Sequence, residues 1–417
     1  MLQREKVGQR IALYRKKKNM TQKQLANLLH VSYQAVSKWE SGGSLPSVDM
    51  LYDISVVLEV TVDALLSGMT KKEIDYRDTG LDTSQLYFCK EQLQELVTTH
   101  DDLLYAHYRD PVFFQIDTSA MKDPVYVMAT NVPGSKEKLA KERGYDKEIC
   151  FDVTARAINN LVRFGVTPIV LQAHMVCGNR NLDSLMSMGE GFKTACETNH
   201  IHFAGLEISA QPVNYLPNEY ELSVSIVGAA DRCQILTGEQ IQEGDIAIGI
   251  TTDGIDSTSF PFIKVMLERN PYLAYRTIDK QQSFIDGIMK PNAAYAHDIA
   301  ALQKCGILHG AFRISNYLLN WDIYNAIPEN LGLCLHMSQI RVPPLFQFIG
   351  DSGLISRKTI PYRFAFGIGM IVIVPKAHAE QALSIIQSYH DCYIIGKIER
   401  KTNHSNPKVW AKGEIQW

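Results

Sequence analysis

From Val7 to Lys17 the apolar residues Val7, Ile11, Leu13 and Tyr14 recur near helical spacing, and the basic run Arg15 to Lys18 closes the segment where a helix dipole favours cations. Asn19-Met20 interrupts the pattern. Thr21, with Gln24 three residues on, has the form of a capping box that opens a second short helix through Leu29, with Leu25, Leu28 and Leu29 expected inward. A tight turn at His30-Val31 follows, and Ser32 is placed to cap a third helix from Tyr33 to about Glu40. In that helix Ala35, Val36 and Trp39 form an inner face, while Gln34, Ser37 and Lys38 share the outer one. Gly42-Gly43 ends it, Pro46-Ser47 starts a fourth helix carrying Met50, Leu51, Ile54, Val57 and Leu58, and Thr61-Val62-Asp63 starts a fifth that stops at Gly68.

Residues 69–110 lose this regularity. They are rich in charged and polar residues and contain one helix-like piece around Tyr87 to Val97, with Leu86, Leu93, Leu96 and Val97 on one side, so they are expected to be a linker. From about Phe113 the period changes to strand-like apolar runs (Val125 to Ala129, Ile169 to Gln172, Leu222 to Val227, Ile246 to Ile250, Gly369 to Val374) separated by long helical stretches such as Asp152 to Phe164 and Leu182 to Thr198. The expectation is a multidomain chain: an all-α head followed by an α/β region. Val132-Pro133-Gly134 and Thr252-Asp253-Gly254 fall just after strands, where loops gather ligands, and neither matches a Walker or Rossmann pattern.

Composition adds bounds. A chain of 417 residues exceeds one ordinary core, at roughly 100–200 residues per domain. With 46% hydrophobic and 21% charged residues it is neither disordered nor membranous in character, and its longest apolar stretch, around Phe366 to Pro375, is short for a membrane helix. The charged start lacks a signal pattern, and the eight cysteines form no Cys-x-x-Cys pair, so a reducing cytoplasm is the expected location. The net charge of −3 conceals an asymmetry, because residues 1–68 hold nine Lys or Arg against six Asp or Glu. A polyanion should therefore meet the head and not the acidic remainder.

The outer face of the third helix suits double-stranded DNA. A recognition helix lies in the major groove, where Gln pairs with adenine and Lys with guanine, and the small Ser37 permits close approach. Met-Thr-Gln-Lys-Gln-Leu-Ala at 20–26 and Val-Ser-Lys-Trp-Glu-Ser-Gly at 36–42, with the helix pattern around them, resemble the Xre family of helix-turn-helix domains over residues 1–68. The resemblance implies Gln22, Tyr33, Gln34, Ser37 and Lys38 as DNA-contacting residues, with Thr21 and Gln22 near phosphates and Trp39 packing inside. A helical bundle serving protein contacts alone is the competing reading.

A second resemblance is spread along residues 113–417. Ala129-Thr130-Asn131-Val132-Pro133-Gly134-Ser135-Lys136, Phe151-Asp152-Val153, Ile158-Asn159-Asn160, Gly205-Leu206-Glu207 and Phe366-Gly367-Ile368-Gly369-Met370 are similar, in order and spacing, to segments of the aminoimidazole ribonucleotide (AIR) synthetase family and its ATP-binding relatives. The resemblance implies two α/β halves, here 111–235 and 236–417, the first with a dimer-forming sheet. It also marks departures. The family aspartates that would hold magnesium against ATP phosphates are Asn131 and Asn160 here, amides without the charge that a hard cation wants. The family His-Ser-Asn-Gly loop is Asp256-Ser257-Thr258-Ser259, and its glycine phosphate turn is Ser315-Asn316-Tyr317-Leu318, too bulky for close backbone approach to an anion.

Asn131, Gly134, Lys136, Asp152, Asn160, Glu207, Asp253 and Asp256 are thus the candidate ligand-binding residues. Lys136, Asp152 and Glu207 are equally open to ordinary surface pairing or capping, and for Asp253 and Asp256 a turn role is preferred. No catalytic residue, metal ligand or cofactor is assigned, and His297, His309 and His336 are read as solvated or packed. The function expected is a dimeric, sequence-specific transcriptional regulator whose non-catalytic body senses a nucleotide or related metabolite. Two half-sites on DNA require two heads, so a homodimer contact is expected in the 69–110 helix or in the body, between which the sequence does not choose. The alternatives are an ATP-dependent enzyme that autoregulates through its head, and a body that merely dimerises the head.

Overall fold

In the computed structural model the described residues are 4–68, 83–94, 96, 114, 116–178, 182–216, 219–279, 282–402 and 407–417. The chain divides into two units, Met1–Asp78 and Thr79–Trp417.

Among its described residues the first unit holds five helices: α1 (Arg4–Lys17), α2 (Gln22–Leu28), α3 (Tyr33–Glu40), α4 (Val48–Leu58) and α5 (Val62–Leu66). Local chemistry starts four of them. Thr21, Ser32, Ser47 and Thr61 each accept a hydrogen bond from the backbone N–H three residues on, satisfying a donor that the first turn leaves orphaned, and Gln24 returns the bond to Thr21 as the sequence predicts. Val7, Ile11, Leu25, Leu29, Val36, Trp39, Ile54 and Leu65 build one shared core. At Gly8 the contact is backbone on backbone, since a Cβ there would sit 2.1 Å from the Trp39 carbonyl oxygen. One expectation needs correction: Leu28 is 53% exposed. It follows the helical repeat but lies past the edge of the face that α3 covers.

The second unit begins with α6 (Thr83–Gln94), which starts and ends earlier than the 87–97 piece expected; Val97 lies outside the described residues. A four-stranded sheet follows: β1 (Pro124–Asn131), β2 (Thr167–Cys177), β3 (His202–Ala210) and β4 (Tyr220–Asp231) in the order β1-β4-β2-β3, antiparallel except for β2 with β3. One face is covered by α8 (Asp146–Val162) and α9 (Leu182–Thr198), the latter bounded as the sequence suggests. On β1 burial alternates, so Tyr126, Met128 and Thr130 face outward and exposed. The helix α6 packs on α9 and β3, burying Cys89 and Leu93.

The second sheet is built from β5 (Ile246–Thr251), β6 (Gly310–Arg313), β7 (Leu331–His336), β8 (Ile368–Val374), β9 (Cys392–Arg400) and β10 (Val409–Lys412), in the order β10-β7-β9-β5-β8-β6. β5 and β8 are buried along nearly their whole length, which explains their continuous apolar sequence. Hydrophobic residues of both sheets merge into one core, and the helix Ala296–Lys304 packs against α8 across the two halves. Among the described residues no helix is long and apolar enough to cross a membrane.

Candidate functional site

On the head, α3 turns Val36 and Trp39 into the core and leaves Tyr33, Gln34 and Lys38 exposed, with Ser37 half-buried between them. Thr21 is exposed at the start of α2, and Gln22 is half-buried beside it. The relation of α2 to α3 is set by a buried charge pair that local pattern does not reveal. Arg15 donates through Nε and Nη2 to Glu40 at 2.6 and 2.8 Å, its Nη1 donates to the Met20 carbonyl, and Gln22 Nε2 donates to the same Glu40 at 2.7 Å. Gln22, expected near phosphate, is thus a strut between the start of α2 and the end of α3. The basic run also divides: Arg15 is 7% exposed, Lys18 pairs with Glu59 at 2.7 Å, and Lys16 and Lys17 face solvent.

In the body, the loop after β1, helix α8, the loop after β5, residues 290–293 and the end of β6 bring polar groups together. Lys136, on α7 (Lys136–Arg143), is 3.0 Å from Asp152 with both side chains 0% exposed. The ammonium also donates to the Lys290 carbonyl at 2.6 Å, and Asp152 Oδ1 accepts from the backbone and side-chain nitrogens of Asn292, both at 2.9 Å. This pair is therefore neither on the surface nor open to a ligand through Oδ1; it ties the first half of the body to the second. Asn160 donates to Asn131 Oδ1 at 2.6 Å, which leaves Asn131 Nδ2 buried without a partner.

Asp256 accepts from Arg313 at 2.6 Å and from Arg156 at 3.4 Å, and it caps a short turn through Thr258 N at 3.0 Å. Arg156 reaches Ser257 Oγ at 2.7 Å. Gly134, at φ +69°, closes on this group: a Cβ there would be strained in conformation and would lie 2.5 Å from Ser257 Oγ, forcing that hydroxyl to move. Burial lowers the affinity of the Arg313 guanidinium for its proton, with Asp256 opposing and Arg156 adding to the effect. Burial lowers Arg163 likewise, with Arg313 contributing. Two adjoining clefts open here. One of about 240 Å³ is lined by Arg156, Asn159, Asp256, Asn292, Tyr295 and Arg313. The other, about 280 Å³, shares Asp256, Asn292 and Ile314 and extends to Phe346 and Phe364.

Of the eight candidate ligand residues, the structure gathers Asn131, Gly134, Lys136, Asp152, Asn160 and Asp256 around this region. Glu207, on β3, is instead held by Lys90 at 2.7 Å, and Asp253 points outward with its side chain 81% exposed. Arg156, Arg313, Asn159 and Asn292 escaped sequence reasoning. The available signal was a lone charge in an apolar context: Arg156 amid the buried positions of α8, and Arg313 directly after Gly310-Ala311-Phe312. A magnesium ion, implied by likeness to an ATP-using family, does not fit this donor set. Asn131 and Asn160 offer no charge, and their one close contact is spent on each other.

Residues 11–65 match the family model described as Helix-turn-helix. Beyond the head, the phosphoribosylformylglycinamidine cyclo-ligase of Shouchella clausii (strain KSM-K16) is 28% identical over 288 residues, covering 68% of this chain and 84% of that protein. The same-named protein of Xanthomonas campestris pv. campestris (strain 8004) is 29% identical over 315 residues, covering 74% and 92%. Among solved structures, thiamine-monophosphate kinase from Stenotrophomonas maltophilia K279a superposes with a TM-score of 0.59 at 16% identity, over 78% of this chain and 96% of that one. Hydrogenase maturation protein HypE in complex with ATP gives 0.55 at 12% identity, over 80% and 92%. At those identities the structural likeness concerns the fold.

Proposed function

From a chain that joins an Xre-type helix-turn-helix domain, DNA-binding by kind, to a region homologous to AIR synthetase-like proteins, we propose a homodimeric transcriptional regulator whose body senses a nucleotide or related metabolite. The observation that carries the DNA-reading part is the outward face of α3, where Tyr33, Gln34, Ser37 and Lys38 are presented by a helix whose other side is locked into the core. Side chains fixed this way can meet base edges without ordering a flexible segment first. Thr21 and the exposed Lys16 and Lys17 lie toward the phosphates in this reading, and Gln22 acts by holding α2 against α3.

Selection of bound DNA from a random pool tests it. Gln34→Ala relaxes preference at one or two base positions, at a cost of about 1–3 kcal/mol on the preferred site. Lys17→Ala weakens every sequence alike and flattens the slope of log affinity against log salt by about one. Equal loss at all base positions for Gln34→Ala contradicts its role.

Two heads on one operator need a contact between copies. We place it on the open face of the four-stranded sheet, because Tyr126 and Met128 stand 57% and 71% exposed two residues apart on β1, where single-sided sheets elsewhere carry polar residues. Met128→Asp then yields a monomer by size-exclusion chromatography with light scattering and lowers operator affinity; an unchanged dimer moves the contact elsewhere. The ATP-dependent enzyme would require charged ligands where Asn131 and Asn160 stand, and magnesium-dependent ATP hydrolysis by the full chain would restore that alternative.

A further inference from the structure

Beside α8 and the end of β1, the buried side-chain atoms Asn131 Nδ2, Arg156 Nε, Arg163 Nε and Asp152 Oδ2 have no hydrogen-bond partner. Three of these four are N–H donors. An orphaned buried donor costs about 1–3 kcal/mol, and what relieves it is an acceptor. The charges agree in sign. Arg156 and Arg313 line the cleft and share a single carboxylate, Asp256, while Lys136 and Asp152 neutralise each other. The cleft thus holds one positive charge in excess, and two when Asp256 turns away, an electrostatic cost that a bound anion offsets.

The geometry points to a phosphate monoester site in which Arg156 and Arg313 hold the phosphoryl oxygens directly, with no divalent metal between. It deepens the sensing reading above and rests on it for its regulatory meaning. Two arginines released from Asp256 match a phosphate monoester, which carries about −1.5 to −2 near neutral pH, and planar guanidinium groups suit its oxygens. The amides at Asn131 and Asn160 fit the same logic: the metal-binding charge is absent, and arginines supply positive charge in its place. The linings set the rest of the ligand: the phosphoryl end meets Arg156 and Arg313 in the space that Asp256 gives up, and the non-ionic part extends against Phe346 and Phe364 in the adjoining cleft. In the unliganded protein Asp256 serves as the internal anion that the phosphate displaces.

Calorimetry on the full-length chain, with AMP and inorganic phosphate as probes, in EDTA and again in magnesium, tests this. Expected are saturable binding of equal affinity in both buffers and a loss of about tenfold or more in Arg156→Gln and in Arg313→Gln. Asp256→Asn, which removes the competing anion, binds more tightly, an outcome that a misfolded variant cannot give. Absence of binding by both probes, a requirement for magnesium, or parental affinity in Arg313→Gln overturns the site. Operator affinity measured in parallel separates the two readings. Metal-free, arginine-dependent AMP binding with unchanged operator affinity keeps the site and removes the regulatory reading. Operator affinity that follows AMP only in magnesium, or equally in Arg313→Gln, keeps regulation and overturns the site.

Discussion

A Lys136→Ala variant loses about 3–5 kcal/mol of body stability, the range for stripping one partner from a buried ion pair. The reason is that Asp152 is then left without its cationic partner in a place with 0% exposure, where Asn292 alone remains to hold it. The loss also frees the Lys290 carbonyl, so the link between the two halves of the body slackens. Replacing both partners, Lys136→Met with Asp152→Leu, recovers part of the stability, because no buried charge is left, although Asn292 and the Lys290 carbonyl lose their partners. Urea unfolding of the full chain, followed by hydrogen exchange in peptides from α8, measures both. A loss under about 1 kcal/mol for Lys136→Ala would mean that water or another group reaches Asp152.

The second large effect falls on the head. Glu40→Ala takes the carboxylate from buried Arg15 and removes the anchor of Gln22, so it costs about 3 kcal/mol, the lower end for a buried pair, since Arg15 keeps its bond to the Met20 carbonyl. Peptides covering residues 4–68 lose exchange protection while those of α8 keep theirs. DNA binding falls for every sequence without a change in base preference, unlike Gln34→Ala, because the damage is to the frame that aims α3 and not to the groups that read. Retained protection in 4–68 would show that the hydrophobic contacts of Val36 and Trp39 suffice.

These two ion pairs also show where sequence reasoning stopped. The caps at Thr21, Ser32, Ser47 and Thr61 were legible because each involves a side chain and a backbone group three residues apart. The strands β1, β2, β4, β5 and β8 and the helix α9 were legible because their apolar runs are long. Strand β6 was not, since Gly310–Arg313 is four residues and takes its identity from pairing with β8. Leu28 misled for a related reason: helical spacing says which residues share a side, and the neighbours decide how wide the covered side is.

Short-range physics, namely backbone capping, the period of apolar positions and the chemistry of an outward Gln-x-x-Ser-Lys face, is written into consecutive residues and could be read from them directly. The resemblance to the AIR synthetase family added that Asn131 and Asn160 stand where that family carries carboxylates, which argues against a bound cation. Partnerships across distance belong to the fold: Arg15 with Glu40, Lys136 with Asp152 and the Lys290 carbonyl, Arg156 and Arg313 with Asp256. An arginine in sequence looks the same whether it meets solvent, a carboxylate or a vacant cleft. Its role follows from desolvation and from whatever charge the packed chain sets beside it, and those quantities come into existence when the sheets close.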